Sequence, residues 1–156
     1  MSNSGKPIIV VSKCLGFEPC RYNGGMEPNN FIEVLGDYVE FIKVCPEQGC
    51  GLPTPRGSLK IVENDDGYNV VQNKTNIVLT KELKGFTSKF LSELGEVDGF
   101  ILKSKSPSCG IKDAKIYPKI EKCSSVKRGN GLFADEVIKK YPNLLVENEG
   151  RLTNYK

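Results

Sequence analysis

The sequence contains no histidine. That absence excludes a serine–histidine triad, a histidine-ligated zinc and a histidine general base, so proton transfer must fall to another side chain. Tryptophan is also missing, with little consequence. No apolar run approaches the roughly 20 residues needed to cross a bilayer. The N-terminus lacks the apolar core of a signal peptide, and the expected location is cytoplasmic. No repeat and no Pro/Gly/Ser-rich linker divides the chain. Its 156 residues therefore read as one domain, 1–156, long enough to bury a single core. Charge of one sign is scarce: 22 Lys and Arg against 19 Asp and Glu leave +3, too mild to argue for nucleic acid alone. Lys103, Lys105, Lys112, Lys115, Lys119, Lys122, Lys127 and Arg128 do crowd one stretch. A solvated face is the ordinary reading of such a run, and a phosphate-receiving patch the alternative.

What the chain does contain is six cysteines: Cys14, Cys20, Cys45, Cys50, Cys109 and Cys123. With no secretion signal, and at a length that needs no covalent staples, they point to a metal or to redox chemistry rather than to disulfides.

The apolar pattern alternates strands and helices. Residues 7–12 form a short continuous apolar run, as in a strand buried on both faces. Pro28-Asn29-Asn30 reads as a helix start, with Phe31, Val34, Leu35 and Tyr38 on one face and Gly36 keeping the helix short. Residues 41–44 form a second strand. Residues 59–71 read as a hairpin turned by Asp65-Asp66-Gly67. Thr80 is placed to cap a longer helix bearing Leu83, Phe86, Phe90, Leu91 and Leu94. A strand at 99–102, a helix at 132–140 and a strand at 144–146 complete the pattern. The expected class is α/β: a mostly parallel sheet covered by helices, with the hairpin as an excursion near the site.

On this map Cys14 follows the first strand, Cys45 follows the second directly, and Cys109 comes shortly after the strand at 99–102. Ligands in open α/β sheets bind beyond the carboxyl ends of the strands, so these three cysteines should meet on one rim. Three thiolates can hold a catalytic zinc, or an iron–sulfur cubane with one iron left open, and spacing does not choose between them. No C-x-x-C hook of a structural zinc site is present.

Glu47, two residues after Cys45, can donate and accept protons where histidine cannot. Ser106 and Ser108, in Ser-Pro-Ser-Cys-Gly, can cap sulfides or hold a substrate carbonyl, although the same residues also make an ordinary turn. Arg21 with Tyr22, and Arg56, lie in loops suited to a planar or anionic ligand; ordinary salt bridging is the alternative. Cys20 and Cys50 stand open as a fourth ligand, an oxidation-prone pair or small buried residues. Cys123 has no assigned role.

Cys14-Leu15-Gly16 through Cys20-Arg21-Tyr22-Asn23-Gly24, Cys45-Pro46-Glu47 with Gly51-Leu52-Pro53-Thr54-Pro55-Arg56, and Leu102-Lys103-Ser104 with Ser106-Pro107-Ser108-Cys109-Gly110 resemble the thiouracil desulfidase family. The resemblance runs from about Ile8 to Leu152. It implies a Rossmann-like domain with a [4Fe-4S] cluster on Cys14, Cys45 and Cys109, its fourth iron open. It also implies sulfur removal from thiolated uracil without net redox change: the open iron takes the sulfur while water attacks the carbon. Glu47 would shuttle protons, Ser106 would position substrate or leaving sulfur, and a [4Fe-5S] state would precede release of hydrosulfide.

Cys50 stands where that family usually has glycine. The C-terminal part is similar to members that carry an additional domain, which a chain ending at Lys156 is expected to lack. The implied partners are a small thiolated pyrimidine, its nucleotide, or thiouridine in tRNA, without a membrane, for a monomer or homodimer. A cluster-binding electron carrier and a zinc protein that binds nucleic acid are the competing classes.

Overall fold

Residues 5–65, 67–121 and 123–152 are described by the computed structural model of the chain. In chain order the elements are β1 (Ile8–Ser12), α1 (Asn30–Leu35), β2 (Glu40–Val44), α2 (Pro46–Gly49), β3 (Leu59–Asn64), β4 (Gly67–Gln72), α3 (Thr80–Glu93), β5 (Gly99–Leu102), β6 (Ala114–Tyr117), β7 (Lys127–Gly129), α4 (Leu132–Lys140), β8 (Leu145–Asn148) and α5 (Glu149–Leu152).

The continuous apolar runs become the centre of a four-stranded sheet in the order β2-β1-β5-β8. All of its pairings are parallel, with Val10 opposite both Ile42 and Phe100. Alternation along the strands divides the core. Val10, Val44, Phe100 and Leu102 face α3 and α4, packing on Leu91, Phe133 and Val137. Val11 and Ile101 face the other way, onto Ile32 of α1 and its neighbours Phe31 and Leu35. Helices thus cover both faces, as parallel strands buried on two sides require. The chain leaves β1 toward β2 on one side and enters β5 on the other, so the loops diverge there and open a crevice.

The hairpin does not stand alone. β3 pairs antiparallel with β4, parallel with β6, and β6 antiparallel with β7, giving a second sheet in the order β4-β3-β6-β7. Its inner face packs on the start of α3 through Leu59, Val70, Leu79 and Leu83. Gly67 has φ +106 at the hairpin turn, whereas Asp66 lies outside the described residues.

Two local expectations change. In α1 the buried residue is Ile32, while Val34 and Tyr38 are 59% and 68% exposed. A helix this short presents a narrow stripe, and its Asn29 cap, bonded to the Ile32 amide at 3.1 Å, fixes which side that is. Thr80 does not cap its own helix: its hydroxyl accepts from the Val70 amide and donates to Asn69, both at 2.9 Å. It fastens α3 to β4 instead. Among the described residues no helix is long and apolar enough to cross a membrane.

Candidate active site

Three strand ends bring the expected residues together. The hydroxyl of Ser12, at the end of β1, accepts from the Lys103 amide at 2.9 Å, and Lys13 donates to the Val44 carbonyl at 2.8 Å. The carboxyl ends of β5, β1 and β2 are therefore laced side by side. Cys14 follows in a tight loop that needs φ +114 at Gly16. Cys45 is the residue before the short helix α2, whose first position is Pro46. Cys109 is held by a turn in which Ser106 Oγ accepts from the Ser108 amide at 3.1 Å and the Cys109 amide at 3.0 Å.

These thiols line one cavity of about 440 Å³, together with Glu47, Ser106, Ser108, Arg21, Tyr22 and Arg56. Cys20 lines it as well. A larger hollow of about 820 Å³ lies beyond Lys105 and Pro107, beneath the second sheet. Lys60, Lys74, Lys115 and Arg128 line it, with Asp113, Glu121 and Cys123 but no strand-end thiol, so the chemistry belongs to the smaller space.

Glu47 is 8% exposed. Its Oε1 accepts from Arg56 Nε at 3.1 Å and is ion-paired with Nη2 at 3.1 Å, and its Oε2 accepts from Ser108 Oγ at 3.2 Å. Ser108 Oγ in turn lies 3.0 Å from Ser106 Oγ. When the Ser108 proton is directed at Glu47 rather than at Cys109 Sγ, 3.8 Å away, Ser106 is free to donate to Ser108, and a hydroxyl relay connects Ser106 Oγ to the Glu47 carboxylate.

Arg56 does not present its guanidinium to a ligand. Nη1 donates to Pro53 O at 3.1 Å and Thr54 Oγ1 at 3.0 Å, and Nη2 donates to Cys20 O at 3.0 Å. With the Nε bond and the ion pair to Glu47, every nitrogen of the guanidinium is engaged within the protein. The side chain is 3% exposed, because a buried carboxylate needs a buried counter-charge. Arg21 and Tyr22 remain on the outer wall: Arg21 Nη1 pairs with Glu27 at 2.8 Å, and Arg21 Cζ lies 5.9 Å from the centre of the Tyr22 ring, which is 41% exposed.

Sequence reasoning placed Lys103 only in the basic stretch and not among the residues of the site. Its Nζ stands between Glu27 at 3.2 Å and Glu149 at 3.5 Å on the same cavity wall. Glu149 also accepts from the amide and hydroxyl of Ser104, at 2.7 and 2.8 Å. The signal was its position directly after a strand end, the same signal that marks Cys45.

Cys50 turns away from the cavity, donating to the Glu47 carbonyl at 3.2 Å and packing beside Leu59 and Leu83. Of the basic stretch, Lys127 pairs with Glu63 at 3.0 Å, Lys103 and Lys105 reach the smaller cavity, and Lys122 lies outside the described residues.

Cys20, Cys45 and Cys109 hold their protons above the ordinary thiol range. Hydrogen bonding with Cys14 pushes Cys20 up to about 11, and burial pushes Cys109 up to about 12. Hydrogen bonding with Cys20, then burial, raises Cys45. Crowded thiolates repel in a dry wall, and a bound cation reverses that preference. Among the described residues, no three His, Cys, Asp or Glu side chains focus on a point where one metal ion would sit.

The profile of the 2-thiouracil desulfurase family matches residues 9–149. A curated relative, the uncharacterized protein YbbK of Bacillus subtilis (strain 168), is 34% identical over 111 residues, which cover 66% of this chain and 73% of YbbK. Among solved structures, the [4Fe-4S]-dependent thiouracil desulfidase TudS matches with a TM-score of 0.73 at 28% identity, over 94% of this chain and 93% of its own.

Proposed function

The chain belongs to the 2-thiouracil desulfurase family, and from that premise we propose that it is an iron–sulfur-dependent desulfidase exchanging the sulfur of a thiolated uracil for oxygen. One observation carries the reading: thiols from the ends of neighbouring parallel strands line a single cavity beside a buried carboxylate. The donor set suits an iron–sulfur cluster, being rich in thiols and free of histidine.

Cys14, Cys45 and Cys109 would hold a [4Fe-4S] cluster. When bound, it supplies a thiophilic Lewis acid for the sulfur of a poor C=S electrophile. The chain's own residues do the rest. Arg21 and the Tyr22 ring offer a cation and a flat face to the pyrimidine. Ser106 Oγ faces the substrate and passes a proton through Ser108 Oγ to Glu47 Oε2 as water adds to the carbon. Glu47 returns that proton to the departing sulfur, and the second proton of the water leaves to solvent as the carbonyl forms. The C–O bond forms, the C–S bond breaks, and uracil or uridine leaves with hydrosulfide and no net change of oxidation state. Arg56 holds Glu47 in place rather than touching substrate.

The test is anaerobic purification, reconstitution with iron and sulfide, and assay of hydrosulfide release from 2-thiouracil, 4-thiouridine monophosphate and thiolated tRNA. A brown protein with about four irons per chain that turns over any of them supports the reading and names the substrate. A brown protein without turnover points to an electron carrier. A colourless protein holding zinc ends the proposal.

A further inference from the structure

The hollow of about 820 Å³ at the second sheet has no task in the proposed chemistry, although part of the basic stretch opens into it. Alternation along the strands explains its charge. Ile61 and Ile116 pair across β3 and β6 and are buried together on one face. The residues before them, Lys60 and Lys115, therefore point the other way, and Arg128 stands opposite Lys115 in the β6–β7 ladder. All three line the hollow, as do Lys74 and Lys105 from two loops. Against these five cations the wall carries two carboxylates, Asp113 and Glu121, an excess as large as the +3 of the whole chain.

Like charges placed opposite one another destabilise a ladder. Lys127 and Lys103 of the same stretch are relieved by Glu63, Glu27 and Glu149. Among the described residues, Lys74, Lys105, Lys115 and Arg128 form no salt bridge. The backbone is strained at the same place. Of the four described non-glycine residues with positive φ, Lys74 (73°), Asn76 (59°) and Lys105 (62°) border this hollow. Such strain gathers where a ligand is held. Lys105 and Pro107 line the smaller cavity as well, so the two spaces share a wall beside the turn that carries Cys109.

We propose that the hollow receives successive phosphates of an RNA strand whose thiolated nucleotide has its base in the smaller cavity. This names a substrate class for the desulfidase reading and rests on it. A nucleotide monophosphate brings a single phosphate, whereas a row of cations across three strands, flanked by two basic loops, matches the repeated charge of a backbone. Phosphate contacts of this kind position the strand and read no sequence, which leaves the choice of base to the smaller cavity.

The experiment measures the anisotropy of a labelled oligouridine with reconstituted full-length protein over a salt series. Binding is expected to weaken with a log–log slope of about −2 to −3, as for roughly three or four phosphates on a single strand. Lys115→Gln with Arg128→Gln, both exposed side chains, should weaken it about tenfold and flatten the slope by about 1–2. The same pair should lower hydrosulfide release from thiolated tRNA and leave release from 2-thiouracil unchanged. Lys74→Asn, which keeps a residue tolerant of positive φ, replaces that pair should it not fold. Equal weakening by Lys81→Gln with Lys89→Gln on α3 would reduce the effect to net charge and overturn the inference. Displacement of the RNA by uridine monophosphate at equal phosphate concentration would also overturn it, assigning the hollow to a single phosphate. Displacement by polyglutamate would do the same in favour of an acidic protein, as would wild type that turns over 2-thiouracil but not thiolated tRNA. Wild type that takes up no iron refutes the cluster reading instead, a distinguishable result.

Discussion

At the scale of single residues, Glu47 and Arg56 set the terms of the site. The carboxylate has one oxygen on the guanidinium and the other on Ser108. Glu47→Gln keeps an acceptor for Arg56 but cannot take up a proton. It is expected to retain iron and lower hydrosulfide release by about 10²–10⁴-fold; wild-type turnover would remove Glu47 as the acid/base. Arg56→Ala strands a buried carboxylate, so urea unfolding should show a loss of about 3–5 kcal/mol. Arg56→Lys should recover only part of it, since an ammonium cannot replace a planar five-donor fork. For Cys109 the thiol binds its proton more tightly folded, at about 12, than at its ordinary 9.0. The sign follows: stability from this group is complete below pH 9 and is lost as pH rises toward 12. Urea midpoints of the metal-free protein should fall across that window, and Cys109→Ala should flatten the fall.

At the scale of elements, the Cys109 turn is positioned by α4. The Leu132 and Ala134 amides donate to the Pro107 and Ser108 carbonyls, both at 3.1 Å, and Gly131 lies flat against the Ser108 peptide. A Cβ at Gly131 would stand 2.4 Å from the Ser108 carbonyl carbon. Gly131→Ala must therefore push helix and turn apart, at a cost of about 1–3 kcal/mol. It should lower the iron retained after gel filtration, although residue 131 contributes no ligand. Thr80→Val tests the other junction. Losing the bond to the Val70 amide should cost about 1 kcal/mol while leaving desulfidation unchanged, because Thr80 is remote from the cavity.

At the scale of the whole molecule, the site sits at the switch point of a parallel sheet whose frame does not depend on it. β1 is bonded on both sides, to β2 and β5, and is buried by helices on both faces. The loops at residues 13–29 and 103–111 depend on a few side-chain ties such as Arg56 to Cys20 and Glu149 to Ser104. Removing iron by chelation should raise hydrogen exchange in those loops and leave the amides of β1 and β5 protected. The reconstituted protein should also melt higher than the metal-free one, because ligand that binds only the folded state stabilises it. Equal melting temperatures would argue that iron binds elsewhere.

The parallel sheet, its helices and the rim that gathers Cys14, Cys45 and Cys109 were legible in the sequence alone. Short apolar runs followed by cysteine within a loop report local periodicity and chain order, and parallel strands then leave their carboxyl ends on one edge. The second sheet was only half visible, since β6 and β7 span four and three residues, too few to show an alternation. The inward turn of Arg56, the bond of Thr80 to β4 and the place of Cys20 beside two other thiols were decided by the tertiary structure. These depend on how neighbours pack rather than on local pattern: Ser108 meets Glu47 across 61 positions, and Arg56 meets Cys20 across 36. A residue's identity states how many hydrogen bonds and charges it can offer; only the packed neighbours determine which of them are left for a ligand.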